Sequence, residues 1–489
     1  MKRLLIILLS VLLVAAAGGS LTAFDIGGTV TSGTDLSTLD IAGASTELEA
    51  GLWLETGKGD HYSFEMKLDL TAAVTDEGFD FYFNPDYLKL DGLWDNLDYG
   101  PSVLATSFGR FSTSDFTSKI FSQKLDGMIM NFNYPAVEFT FTAGTTALMF
   151  TKSGSILNSA SSTILSRTDA AQANNGTSLM ELLFDPAAAG KSVFDSPRAV
   201  EIITLTLPQV VAKQNITLSM VAQEDLRPFF EVVKDYSDET TAYPLIQEGE
   251  IDYYADRGGA VDTMYIGTGV SGPSIGSLYH NVYYYFGTGR ALSYAADGNS
   301  STGFSYQYDV ITSHMAGFSL DYFMPWLFNS RISAGANFGT GDADAEGIYE
   351  GNREGYYTQF TPVTAGGGGM IFSPGLTNIF SASASYSLKP LEWLPLPFLN
   401  DMQVAAVIMP FWRLTEGPLA VSGINSNFTL EDGNYLGSEI DLSVNWRPFS
   451  DLGVIFQTGL FLPYSDAFET GSDISNPTFM AKLNVSLSF

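Results

Sequence analysis

The chain has 489 residues, of which 45% are hydrophobic and 13% aromatic, with 23 Lys and Arg against 54 Asp and Glu and no cysteine. The lack of cysteine excludes a disulfide scaffold, a thiolate metal site and a cysteine nucleophile. A net charge of -31 leaves no basic face for nucleic acid, which is bound by displacing counterions. The aromatic and glycine content does not fit a series of ordinary soluble domains.

The N-terminus has the three parts of a secretory signal peptide. A basic start precedes an apolar run from Leu4 to Ala17, and small residues follow up to Ala23. The apolar run is shorter than the roughly 20 residues of a spanning helix, which disfavours a retained anchor. We predict a signal peptide over residues 1–23, cleaved between positions 17 and 23, and a single domain over residues 24–489.

The rest of the chain alternates apolar and polar residues with a period of two, which is typical of β-strands with one dry face and one wet face. The alternation is clear at Tyr62–Ala72, Val137–Ala143, Leu436–Trp446 and Phe479–Phe489. A large soluble sandwich would also alternate, but it would not need so many long strands or charged residues facing its interior. We therefore predict a transmembrane antiparallel β-barrel.

The strand count supports this fold, because single-chain outer-membrane barrels have an even number of strands. Eighteen segments can be recognised, beginning near residues 22, 45, 62, 79, 102, 124, 136, 198, 215, 259, 277, 304, 330, 377, 401, 434, 450 and 478. The stretch Phe304–Phe323 could instead be a hairpin with its turn at Ser313–Gly317. Its even positions keep one phase throughout, so we interpret it as one long strand.

Short and long connections predict the orientation. The short ones are Asn133–Ala136, Leu207–Asn215, Pro325–Asn329 and Pro448–Asp451, and the long ones are Thr151–Pro197, Gln223–Gly258, Gly339–Pro374 and Thr415–Gly433. Short turns of such barrels face the periplasm. We therefore expect both termini in the periplasm, extracellular long loops, and a location in the outer membrane of a diderm bacterium with the lipid bilayer as a partner.

Two stretches resemble a known family. Phe108-Gly-Arg-Phe111, followed by Lys124-Leu-Asp-Gly127, resembles the "GR … DG" hairpin of alginate-export outer-membrane channels. Leu436–Asp441, continuing through Trp446–Pro448 to Gly459–Pro463, resembles their C-terminal strands. Those channels and the related substrate-selective porins are 18-stranded barrels, so the resemblance implies this architecture and a transport role. It also implies a cation-lined lumen, for which this chain has few basic residues.

The polar phase of the strands should line the lumen. Its carboxylates are Glu47, Glu49, Glu65, Asp69, Glu138, Asp309, Asp321, Glu439 and Asp441, and its cations are Lys67, Arg110, Arg331 and Lys482. In one interpretation each charge pairs with a neighbouring strand in a solvated wall network. In the other, Arg110 and Arg331 face acidic partners across a constriction and set its selectivity. The excess of carboxylates predicts a modest preference for cations.

Catalysis has little support in the sequence. The chain contains three histidines, His61, His280 and His314, and neither an HExxH motif nor a Walker loop. An outer-membrane lipase would place serine and histidine on the outer face of its barrel, where the phase puts His314. An interfacial or turn histidine fits these positions better. We predict neither an enzyme nor a cofactor.

One loop has part of a calcium-binding pattern. Asp342, Asp344 and Glu346 stand at positions 1, 3 and 5, and Gly347 stands at position 6. Position 12 is Arg353, so the bidentate carboxylate of that pattern is missing. An acidic surface loop is the simpler interpretation, and a structural calcium ion is the alternative.

These features predict a porin-like channel for diffusion of small hydrophilic solutes, with saccharides and carboxylates as candidates. One rival is a structural or adhesive surface barrel whose lumen is plugged by the long loops. Another is a hydrophobic-solute transporter, but barely a strand's length precedes Gly27, too little for a lumenal hatch. Phe489, which ends an alternating strand, is predicted to be read by the outer-membrane insertion machinery. The barrel is expected as a monomer or a homo-oligomer.

Overall fold

Eighteen antiparallel strands form one sheet in which each strand pairs with the next along the chain. The first strand also pairs with the last, from Thr29 opposite Ser488 to Ser37 opposite Met480, and this ladder closes the barrel. The computed structural model describes residues 23–37, 44–58, 61–75, 78–95, 100–146, 198–226, 261–296, 304–345, 355–364, 368–422, 430–431, 433–469 and 473–489.

The strands agree with the predicted segments, each beginning within two residues of its predicted start. They are β1 (Ala23–Ser37), β2 (Ala44–Lys58), β3 (Tyr62–Thr75), β4 (Gly78–Asp95), β5 (Val103–Ser114), β6 (Ser122–Tyr134), β7 (Val137–Thr145), β8 (Arg198–Val211), β9 (Gln214–Asp225), β10 (Val261–Pro273), β11 (Leu278–Ala296), β12 (Phe304–Met324), β13 (Ser330–Gly339), β14 (Ile379–Leu388), β15 (Gln403–Arg413), β16 (Tyr435–Phe449), β17 (Leu452–Pro463) and β18 (Thr478–Ser488). The predicted fold class is confirmed, and β12 is one long strand.

Among the residues that the structure describes, helical structure is limited to one helical turn at Pro397–Asn400 and one 3₁₀ turn at Asp473–Ser475. Ser373–Pro374 pairs with Val421–Ser422 in a separate two-stranded sheet. In the described part of the chain, no helix has the length and apolar character needed to cross a bilayer.

The two phases of the strands have different surroundings. The outward phase carries large apolar side chains that are exposed, such as Leu442 (51%) and Leu483 (43%). The inward phase of the same strands carries Asp441 and Lys482. This arrangement fits an outer surface in lipid and a polar lumen. Leu68, on the outward phase of β3, is half-buried.

The short connections named from the sequence are confirmed, but the alternation is not complete, because residues 389–402 form a longer connection at the same end of the barrel. β6 and β7 are joined by a two-residue turn after Tyr134, and β8 and β9 by a two-residue turn after Val211. The long connections at 147–197 and 227–260, and the predicted signal peptide up to residue 22, lie outside the described residues. The described parts of the connection between β13 and β14 do not project outward. They fold into the barrel.

Candidate functional site

The hairpin that joins β5 and β6 leaves the barrel wall and enters the lumen. The ladder between β4 and β5 ends where Leu88 faces Arg110, and the ladder between β6 and β7 ends where Asp126 faces Thr145. β5 and β6 nevertheless stay paired with each other as far as Ser114 and Ser122. Residues 111–125, which we call the inward hairpin, therefore extend beyond both neighbouring strands.

Two glycines allow the inward hairpin to leave the wall. Gly109 has a φ of +118°, a backbone conformation that side chains other than hydrogen disfavour, and a Cβ there would collide with the Leu88 carbonyl oxygen. A Cβ at Gly127 would collide with the Ala143 carbonyl oxygen. Both glycines belong to the "GR … DG" motif, which therefore marks the base of this hairpin.

Asp115 organises the tip of the inward hairpin. Its carboxylate is buried and accepts hydrogen bonds from the backbone N–H groups of Thr117, Ile120 and Phe121, at 2.9, 2.9 and 2.8 Å. A buried carboxylate with several such donors is fixed in position. Lys119 lies in the same turn, and burial lowers the pKa of its ammonium group below the ordinary value.

The tip contacts the wall further round the barrel. Tyr285 on β11 donates its phenolic hydrogen to Asp115 Oδ2 at 2.7 Å. The ring of Phe116 stacks on the ring of Tyr285, with 5.3 Å between their centroids, and fills the space beside Gly269 where a Cβ would stand. The inward hairpin is thus held at both its base and its tip.

Arg110 is buried at the base of the inward hairpin, with 1% of its surface exposed. Its Nε and Nη2 donate to the two carboxylate oxygens of Asp126 at 2.7 and 3.0 Å, and its Nη1 donates to the Pro85 carbonyl oxygen at 3.1 Å. A bidentate pair of this kind fixes geometry as well as charge. Arg110 therefore holds the hairpin to β4 and β6 and is not available to a solute.

A network of charges lies between one face of the inward hairpin and the wall. Lys124 on the hairpin and Lys67 on β3 both bind Asp86 on β4, and Lys67 Nζ also lies 3.3 Å from Asp69. Lys67 and Lys124 each keep part of their side chains exposed, so this network contributes fixed charges to the lumen. A field of this kind acts on any charged solute that passes.

The other face of the inward hairpin is apolar. Phe111, Phe121 and Leu125 belong to one buried cluster with Phe360 and Val363 of the connection between β13 and β14. We call residues 355–364 and 368–378 of this connection the lumenal loop. Its Thr364 N–H donates to the Ile120 carbonyl oxygen at 3.1 Å, so the lumenal loop packs directly on the hairpin.

The lumenal loop is anchored on the opposite side by Glu439 of β16, which has no exposed surface. The two carboxylate oxygens of Glu439 accept the backbone N–H groups of Ile371 and Phe372, both at 2.7 Å. Asp441 accepts the N–H of Met370 at 3.3 Å. The loop therefore crosses the lumen from the inward hairpin to β16, and it narrows the barrel with apolar side chains.

Comparison with known proteins agrees with this architecture. The family model described as alginate export matches residues 281–478. The structures of OccK3 (OpdO) and of OpdK with vanillate, both from Pseudomonas aeruginosa, are each 9% identical with a TM-score of 0.51. Each alignment covers 96% of this chain, with 96% of OccK3 and 100% of OpdK. No curated protein matches.

The chain is an outer-membrane β-barrel similar to the alginate-export family. At 9% identity the two solved structures show a shared fold and nothing finer. The family match covers β12 to β17 and parts of β11 and β18, including the lumenal loop. The sequence-based resemblance and the predicted outer-membrane location are thereby confirmed.

In this outer-membrane barrel, the predicted lumenal cations pair with neighbouring strands and not across a constriction. The partners are Asp126 for Arg110, Asp86 and Asp69 for Lys67, Asp321 for Arg331 and Asp35 for Lys482. Arg331 stands at the start of β13, near the periplasmic end, and not beside Arg110. The ladder register explains the difference, because it sets a carboxylate within reach of each cation on the next strand.

The predicted carboxylates divide into two groups. The first group stays on the wall. In it, Glu65 binds Lys89 at 2.8 Å. Glu47 and Glu138 are exposed, and Glu49 and Asp309 are half-buried. Glu439 and Asp441 were expected to belong to the solvated wall of the lumen. They bind the lumenal loop instead, because their carboxylates take up backbone N–H groups that would otherwise be buried without acceptors.

The calcium-type loop is only partly described, since Glu346 lies outside the described residues. Asp342 is buried and accepts the Thr358 N–H at 2.9 Å, so its carboxylate holds loop backbone. Burial, with a hydrogen bond shared with the Asp344 side chain, raises the pKa of Asp342 to about 7. Within the described ranges, no three acidic or histidine side chains group as metal ligands.

The three histidines lie in turn and wall contacts. His61 Nδ1 lies 2.9 Å from the Leu93 carbonyl oxygen. His280 Nδ1 lies 2.6 Å from Ser274 Oγ, and His314 Nδ1 lies 2.7 Å from Tyr284 Oη. His314 is on the outward phase, as its position in the sequence predicted, and it stacks beside Tyr284.

Sequence reasoning missed several residues of the site: Asp86, Asp115, Lys124 and Tyr285. Lys124 stood inside the recognised motif, but only the paired glycines at its ends would have shown that the hairpin turns inward. Asp86 follows Pro85 at a bulge, which breaks the alternation from which lumenal residues were chosen. Asp115 and Thr117 form a local Asx-type turn that is visible in the sequence.

Proposed function

We propose that this barrel is a porin-like channel through which small hydrophilic solutes, saccharides or small carboxylates, diffuse across the outer membrane. The observation that carries the proposal is the inward hairpin, which is held by Asp126 at its base and Tyr285 at its tip. A segment fixed inside a barrel narrows the lumen and brings the charges of Lys67 and Lys124 close to any solute. Porin-type channels select solutes by such narrowing and by fixed charge.

A plugged structural barrel is the second candidate, and the apolar cluster inside the lumen favours it. Phe121, Phe360 and Phe372 have no exposed surface, although they belong to segments that cross the lumen. A well-packed apolar layer excludes water as a protein core does. If this layer spans the whole cross-section, the barrel does not conduct.

Single-channel recording in planar bilayers tests the two candidates. The channel proposal predicts discrete conductance steps and swelling of liposomes in neutral sugars, uronates and amino acids up to a size limit. The matched control is the same preparation heated until it no longer migrates as a folded barrel on a gel. Bilayers that remain closed, with folded barrel demonstrably inserted, contradict the channel and support the plugged barrel.

Assembly is a separate part of the proposal. Phe489 exchanges backbone hydrogen bonds with Gly28 at 2.9 and 3.0 Å, and its ring occupies the space where a Cβ of residue 28 would stand. We propose that the insertion machinery reads this terminal strand and delivers the barrel as a monomer or homo-oligomer. Deletion of Phe489 should lower the fraction of heat-modifiable barrel in membranes, and Phe489→Tyr should not. Equal fractions in all three proteins contradict this role.

A further inference from the structure

At the periplasmic end of the lumen, β11, β12 and β13 bring together two aromatic rings and an ion pair. The four residues are Tyr279, Asp321, Phe323 and Arg331. Tyr285 on β11 and Met315 on β12 are buried inside the barrel. Tyr279 lies on the same face of its strand as Tyr285, and Asp321 and Phe323 lie on the same face of their strand as Met315. The ladders between these strands are continuous, so all four side chains face the lumen.

The rings form an open corner. Tyr279 faces Asp321 in one ladder, and Phe323 faces Arg331 in the next. The two rings meet edge to face, with 6.0 Å between their centroids and 86° between their planes. Tyr279 is 48% exposed and Phe323 is 40% exposed. With Gly276 and Ser277, they border a cleft of about 610 Å³, within the roughly 300–1,000 Å³ of ligand sites.

The ion pair leaves hydrogen-bonding capacity beside this cleft, whose lining includes Asp321. Arg331 Nε and Nη2 both donate to Asp321 Oδ1, at 3.0 and 2.6 Å. In the part of the chain that the structure describes, Asp321 Oδ2 and Arg331 Nη1 have no protein partner. An acceptor and a donor thus stand near two aromatic rings, and the Arg331 guanidinium lies over the Phe323 ring, 5.3 Å from its centroid. The charges of the pair balance each other, so the corner has no net attraction for an anion.

The wall next to the corner is lined with hydroxyl groups. Arg331 faces Ser387 in the ladder between β13 and β14, and the inward phase of β14 continues through Ser385, Ser383 and Ser381. This phase ends at Ile379, which packs in the apolar cluster of the lumenal loop. A row of hydroxyl groups on a lumen wall can exchange hydrogen bonds with successive hydroxyl groups of a solute.

We infer that the corner of Tyr279, Asp321, Phe323 and Arg331 is a binding subsite for one pyranose ring of a neutral saccharide. An aromatic ring packs against the apolar C–H face of a pyranose, and paired donor and acceptor groups bind its adjacent hydroxyl groups. An open-chain polyol offers the hydroxyl groups without the rigid apolar face. A uronate adds a charge that the balanced pair does not favour. This inference rests on the proposed channel function and names its solute class.

Current block in planar bilayers tests the subsite. The probes are maltotriose, sorbitol and glucuronate, added to the periplasmic side of the channel. Maltotriose should block the current more strongly than sorbitol or glucuronate. Phe323→Ala and Tyr279→Ala should each weaken the maltotriose block about tenfold, as expected for the loss of about 1.4 kcal/mol of ring contact. Phe323→Leu keeps most of the apolar volume and should also weaken the maltotriose block. This variant provides the test if Phe323→Ala does not fold.

The matched control is Tyr322→Ala, the adjacent residue on the outward phase. It should leave the maltotriose block unchanged. Equal block in Phe323→Leu and Tyr322→Ala, or stronger block by sorbitol or glucuronate than by maltotriose, overturns the subsite and leaves the channel proposal intact. A wild-type barrel that inserts and does not conduct overturns both.

Discussion

Tyr285 and Asp115 lie 170 positions apart in the chain, and the phenol of one donates to the carboxylate of the other at 2.7 Å. This bond ties the inward hairpin to β11, five strands further round the barrel from β6. Both residues are buried, and hydrogen bonds to charged groups contribute about 1.5–3 kcal/mol. The position of the hairpin tip in the lumen therefore depends in part on a contact that can be removed without changing a strand.

Tyr285→Phe removes that contact and keeps the ring that stacks on Phe116. We expect the hairpin tip to lose about 1.5–3 kcal/mol of docking free energy, with a larger mean conductance and more open-channel noise. Single-channel recording measures both. Tyr284→Phe is the control, because Tyr284 faces outward and its hydroxyl lies 2.7 Å from His314 Nδ1. Identical traces for the two variants would show that the bond does not hold the hairpin.

Gly109→Ala places a side chain at a φ of +118° and against the Leu88 carbonyl oxygen. The backbone strain alone costs of order 1–3 kcal/mol. We expect a lower urea midpoint for the loss of folded, heat-modifiable barrel. Gly276→Ala provides the comparison, because φ is also positive there, at +61°, but nothing lies within 4 Å of the new Cβ. If the two variants lose equal stability, steric collision at the hairpin base is not important.

Leu442→Arg places a charge on the outward phase of β16. In the bilayer, arginine near the midplane costs about 2–4 kcal/mol. Ser443→Arg, one position further on, should cost much less because Ser443 faces the lumen. The free energy of unfolding from lipid bilayers distinguishes them. Equal losses would contradict the assignment of the outward phase to lipid.

Ion selectivity should show a modest preference for cations. The predicted lumenal cations are each paired with a carboxylate, whereas Glu138 is exposed on the same phase. Reversal potentials across a salt gradient measure this preference. The preference should weaken as ionic strength rises, since charges are screened beyond about 8 Å at physiological salt. Lys124→Gln should increase the preference, and Lys213→Gln, in a periplasmic turn, should not. Anion preference in the wild type would favour a uronate-like solute instead.

The lumenal loop should loosen as pH rises through neutrality. The pKa of Asp342 is raised from 3.8 to about 7, so between these values the folded loop binds a proton that the unfolded loop has lost. The stability that this proton contributes is present below about pH 3.8, decreases above it, and is fully lost above about pH 7. Limited proteolysis near residues 355–364 should therefore be faster at pH 8 than at pH 6. The pH dependence should disappear in Asp342→Asn, and a profile that is flat in the wild type would contradict this assignment.

The sequence by itself determined the number of strands and the phase of their side chains. Each of these is a local property. Leu483 meets lipid and Lys482 meets water whatever the rest of the chain does, so the alternation of period two is imposed residue by residue. The glycines of the "GR … DG" motif were also visible, and they mark the place where the hairpin leaves the wall.

Only the tertiary structure decided what fills the lumen and which charges meet. Asp115 reaches Tyr285, and Glu439 reaches the backbone of Ile371, across long stretches of sequence. Alternation shows that a side chain points into the barrel. It does not show the position of that side chain along the barrel axis or the residue that it contacts. Those depend on the ladder registers of the closed barrel and on loops that fold back into it, and no short segment encodes either. For that reason the sequence left open whether Arg110 belongs to a wall network or to a constriction, and the structure shows it as a buried clamp at the base of the inward hairpin.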